Sequence, residues 1–88
     1  MGAWIDDLAA ALGEAPLDPG ETSTLLQVAR DVAHRVERRV TPLSTFLLGT
    51  AVGRDQAAGE TRGEALERSL AVLRSLLPEP PAGEGGSV

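Results

Sequence analysis

A chain of 88 residues with no cysteine, no lysine and a net charge of −5 excludes disulfides, thiol catalysis, Cys-ligated zinc, a Schiff-base lysine and a P-loop lysine. Trp4 and Phe46 are the only aromatic residues, so the stacking platform of single-strand binders is missing, and the acidic balance argues against a nucleic-acid partner. This length allows one domain with a small core and a stability of a few kcal/mol, and its richness in Ala and Leu favours helices over strands.

The first helix is expected from Ala3 to Leu12. Trp4 or Ile5, Leu8 and Leu12 recur at four-residue spacing, and Asp6 and Asp7 fall in the first turn, where the helix dipole favours anions. Gly13 ends it, and the segment Glu14 to Glu21, with two prolines and a glycine, reads as a loop pinned by Leu17. Asp6 and Asp7 also stand where a secretory signal would be basic, and Asp6 occupies the position at which N-myristoylation requires Ser or Thr. The expectation is a cytoplasmic protein without a membrane span.

A second helix is expected to start between Thr22 and Thr24, with Thr24 and Gln27 as a capping box, and to continue to about Arg38. Leu25, Ala29, Val32 and Val36 form its apolar stripe, widened by Leu26, Val28 and Ala33. The opposite face carries Arg30, Asp31, His34, Glu37 and Arg38.

The third helix, Thr41 to Arg54, is the most distinctive stretch. Thr41 suits the N-cap, Pro42 the first helical position, and Gly53 the left-handed stop. At roughly 100° per residue, Leu43, Leu47, Thr50 and Ala51 fall on one side with Phe46 beside them, and Leu48 and Val52 on the other. A helix apolar nearly all round must be enclosed, and this one is too short to cross a bilayer. It is therefore expected at the centre of a bundle, with Gly49 and Gly53 letting a neighbour approach and with Phe46→Ala costing about 3–5 kcal/mol.

Asp55 to Glu60 reads as a loop. Thr61 and Glu64 make a capping box for a fourth helix that runs to about Leu77, with Leu66, Leu70, Leu73 and Leu77 as its stripe. The expected architecture is thus all-α, a small four-helix bundle over residues 1–77 with a short, largely buried third helix, followed by a disordered Pro/Gly-rich tail over 78–88.

No catalytic or metal-binding constellation is present, so the chain is read as a non-enzyme. His34 is the only histidine, and it lacks the ligand spacing of a zinc motif. Arg30, Asp31, His34, Arg35 and Arg38 form one local excess of positive charge just ahead of the third helix. At its start Thr41, Ser44 and Thr45 are polar and backbone N–H groups attract anions. These eight residues are the candidate binding site. The same face also reads as solvated charge laced by ion pairs along the helix.

The run Leu26 to His34, the following Arg35-Val36-Glu37-Arg38, and Thr41 to Arg54 resemble a small actinobacterial domain of unknown function. That domain occurs alone or fused to molybdenum-cofactor guanylyltransferases. Its Ala-Arg-Asp-Val-Ala-His stretch matches Ala29 to His34, and its Pro-Leu-Ser/Thr-Thr-Phe-Leu stretch matches Pro42 to Leu47. The resemblance implies an accessory module in molybdopterin–guanine dinucleotide biosynthesis, with such a transferase as partner. It carries over no catalytic residue, names no cofactor and leaves the oligomeric state open. The alternatives are a carrier of a phosphate- or nucleotide-bearing cofactor and a self-associating structural protein.

Overall fold

The computed structural model describes residues 2–80, with side chains from Trp4 onward. Among these the chain is helical throughout, without a strand: α1 (Gly2–Ala11), α2 (Pro19–Arg35), a 3₁₀ turn (Arg38–Val40), α3 (Thr41–Ala57) and α4 (Arg62–Ser75). Gly13 takes a φ of +74° after α1, as expected of a helix stop. At the start of α4, Thr61 accepts from the Glu64 N–H while the Glu64 carboxylate accepts from that of Thr61, both at 3.1 Å.

The start of α2 differs from expectation. Asp18 caps the Glu21 N–H at 2.7 Å, Glu21 accepts in return at 3.0 Å, and Pro19 occupies the first turn. A proline there needs no N–H partner and already has a helical φ, so the residue read as a breaker is a starter. At its other end α2 closes at Arg35, and the arginines that follow enter the 3₁₀ turn.

Both ends of α3 also depart from the sequence reading. The 3₁₀ turn runs directly into it, leaving Val40 rather than Thr41 at the N-cap position, with no side-chain cap. At the other end the helix continues through Gly53 to Ala57, and the chain turns at Gly59, whose φ is +108°. Asp55, Gln56 and Ala57 can all extend a helix, and each added residue gains a backbone bond that a stop at Gly53 would forgo.

The core lies between α2, α3 and α4. Val28, Val32, Leu48 and Leu70 are buried together, with Leu25, Val40, Leu66, Leu73 and Leu77 packed around them. Val52 and Ala65 are buried as well. The expectation of an enclosed third helix needs correction: Leu48 and Val52 face inward, whereas Leu43 and Leu47 are exposed and Phe46 is 73% exposed. The buried cluster draws on α2, α3 and α4, and among the described residues no Cα of α1 comes within 8 Å of a Cα in another helix. Apolar periodicity reports that a helix has a face to cover and not which element covers it. Pro78 to Pro80, the start of the predicted tail, have no regular structure, and the rest of that tail lies outside the described residues.

Candidate interaction surface

Four of the eight predicted residues lie on α2. Arg30 and His34 are exposed there, Asp31 and Arg35 are half-buried, and Arg38 is exposed on the 3₁₀ turn. Arg39 pairs with Glu37 at 2.9 Å on the open surface, a contact worth little in water. Among the described residues Arg30, Arg35 and Arg38 form no ion pair. Leu26 and Val36, both expected in the core stripe, lie exposed on this helix. The signal for Leu26 was available: it falls roughly 160° round the helix from Val28, at 3.6 residues per turn.

The hydroxyl-bearing start of α3 is built differently. Ser44 donates to the Val40 carbonyl at 2.8 Å, and Thr45 to the carbonyls of Thr41 and Pro42 at 3.2 and 3.0 Å. The Thr41 hydroxyl is buried without a hydrogen-bond partner. Because the 3₁₀ turn takes up the N–H groups of Val40 and Thr41, and Pro42 has none, the helix start offers an anion few donors. Ser44 and Thr45 also line different grooves. Ser44 faces the one between α3 and α4, and Thr45 the cleft on the α2 side. The structure does not gather the eight predicted residues into one site.

That second cleft, of 590 Å³, holds the main polar feature that sequence reasoning missed. Arg62 donates through Nε to Glu21 Oε2 at 2.9 Å and through Nη2 to Oε1 at 2.7 Å. It also reaches the carbonyls of Ala15 and Pro16 at 2.8 and 2.7 Å. Hydrogen bonding from Arg62 holds the Glu21 carboxyl below its ordinary pKa, against the opposing effect of burial, and Glu21 in turn raises Arg62. With four of its five N–H groups engaged, this guanidinium is an internal tie rather than a ligand hook. The pair is far apart in sequence, and Glu21 reads locally as the end of a loop, so no local pattern announced it.

Among the described residues no three His, Cys, Asp or Glu side chains are grouped as a metal ion requires. No helix among them is long and apolar enough to cross a membrane. Fold and surface together define a small all-helical domain whose distinctive chemistry lies on its outside. The chain belongs to the DUF6457 family, a domain of unknown function, whose pattern it matches over residues 1–84. No curated protein and no solved structure matches it.

Proposed function

We propose that this domain is a non-enzymatic interaction module that docks the outward face of α2 on an acidic surface of a partner protein. The observation that carries the reading is the positive charge of Arg30 and Arg35 on α2 and of Arg38 on the 3₁₀ turn, none of them ion-paired among the described residues of a chain of net charge −5, with Leu26 and Val36 exposed nearby. Arginine mixed with apolar surface is the composition that protein interfaces favour. The resemblance carried by Ala29 to His34 and Pro42 to Leu47 favours a molybdenum-cofactor guanylyltransferase as the partner class and an accessory role in cytoplasmic molybdopterin–guanine dinucleotide biosynthesis.

Titration calorimetry of the chain against that transferase tests both parts. Binding should weaken with added salt and fall at least tenfold in Arg30→Glu and Arg38→Glu, since charges that steer and hold an acidic surface would be reversed. Absence of binding by the wild-type chain overturns the partner. Binding that both variants retain in full overturns the face.

A further inference from the structure

The α2 face accounts for only two of the large apolar residues this chain exposes. Trp4, Leu8 and Leu12 on and beside α1, Leu43, Phe46 and Leu47 on α3, and Val72 and Leu76 at α4 are also exposed, so both aromatic side chains of the protein face outward. Aromatic residues at the surface of so small a chain are the usual anchors of an interface. From their arrangement we infer that the chain pairs with a second copy of itself, each copy laying α1 in the groove between α3 and α4 of the other.

The donor is α1. It has ten residues, among the described residues no Cα of another helix comes within 8 Å of it, and helices this short are marginal in water without tertiary contacts. Trp4, Ile5, Leu8 and Leu12 give it one continuous apolar stripe, and Trp4 is 68% exposed. The acceptor is a 470 Å³ groove lined by Leu47, Ala51, Val72 and Leu76, with Leu43 beside it on α3 and Phe46 further round that helix. Charge agrees with the fit. Asp6 and Asp7 are the only charged residues of α1 and flank its stripe, while the groove is lined by Arg68, which Asp55 and Glu60 already pair, and by Arg54. Arg54 holds Asp55 only loosely, at 3.6 Å, and remains mostly exposed.

A second copy is the occupant because α1 is held away from its own groove. Only Leu12, Gly13 and Glu14 separate it from Ala15, whose carbonyl Arg62 fixes, a reach of about 14 Å at full extension. Glu14 lines the cleft on the α2 side of α3, whereas the acceptor groove lies on the α4 side. Reciprocal exchange of two α1 helices closes a two-fold pair and leaves no unsatisfied copy. The two tryptophans and the exposed leucines and valine that meet in the two grooves remove on the order of 1,200 Å², the lower end of the size of a stable specific interface. The α2 face stays outside this contact, so the pairing stands or falls apart from the partner proposed above.

Sedimentation equilibrium of the full chain over a wide concentration range tests the pairing, with Trp4 as a built-in reporter. The mass should rise from 9.1 kDa to twice that value as Trp4 emission moves to shorter wavelength. Trp4→Glu and Val72→Glu, which alter the two opposite sides of the contact, should each weaken association at least tenfold while helical circular dichroism of the α2–α4 unit persists. Leu26→Glu on the α2 face should leave association unchanged. A mass of 9.1 kDa at every concentration overturns the proposal, including the case where Trp4 emission is already shifted because α1 folds on its own chain. A dimer indifferent to Val72→Glu overturns the mode of docking.

Discussion

Arg62 donates to both carboxylate oxygens of Glu21 and to the carbonyls of Ala15 and Pro16, so one guanidinium ties α4 to α2 and to the loop before it. The two side chains are only 22% and 14% exposed, which sets this pair apart from the surface contacts of Arg39 or Arg54. Arg62→Leu leaves Glu21 and two carbonyls short of a partner and should cost about 2–3 kcal/mol in urea denaturation. Arg62→Lys should recover little, because an ammonium cannot fork across a carboxylate and two carbonyls. The acid limb of stability carries the same signature. Glu21 has a lowered pKa in the folded state, so its contribution is complete above the ordinary carboxyl range and is lost as pH falls through the folded value, below about pH 4.5. Wild type should lose more stability than Arg62→Leu between about pH 7 and about pH 3, because the variant has already lost the pair. Equal losses would mean that the tie contributes nothing. Phe46 and Leu48, two positions apart on α3, give the contrasting test of burial. Phe46→Ala, at an exposed site, should change monomer stability by under about 0.5 kcal/mol, whereas Leu48→Ala, in the core, should cost about 2–5 kcal/mol. Thermal melts at high dilution distinguish the two.

At the scale of the helices, what could be read in advance was whatever a short window of sequence determines. The stop at Gly13 and the Thr61–Glu64 capping box each rest on residues within one turn of one another, and both are as expected. The start of α2 was missed because Pro19 has two opposite meanings, breaker inside a helix and starter in its first turn, and only the capping bonds of Asp18 decide between them. Gly53 had the same ambiguity, and the choice went to Gly59. That outcome reverses the expected effect of substitution. A stop glycine in the left-handed region resists alanine, but Gly53 is helical and a Cβ added to it meets nothing within 4 Å. Gly53→Ala should therefore stabilise the protein by roughly 0.5–1 kcal/mol, an upward shift in melting temperature of several degrees for a domain this size. Gly59→Ala should lower it, since a φ of +108° is unfavourable for any side chain. Melting curves of the two variants showing the opposite order would return the end of α3 to Gly53.

At the scale of the whole molecule, the helical class was legible because composition and periodicity carry it, while the arrangement was not. Leu43, Phe46 and Leu47 have the same apolar character as Leu48 and Val52, so nothing in their identity separates a face that its own chain covers from one it leaves open. The candidate site divides in the same way. Arg30 and His34 were legible as an exposed polar face of α2, whereas Arg62 and Glu21 required knowledge of how α4 meets α2. The packed unit in the structure is α2, α3 and α4, with α1 joined to it through the loop that Arg62 holds. Deleting residues 1–12 removes α1 and spares Ala15 and Pro16, so every contact of the core and of the Arg62 tie survives. The truncated chain, compared with full-length protein at a dilution where neither associates, should unfold cooperatively with a free energy within about 1 kcal/mol of the parent. Its helical signal should fall only by the share of α1, and an isolated helix of that length frays in any case. Loss of a cooperative transition on truncation would show that α1 belongs to the core of its own chain, and that its exposed stripe is already covered there.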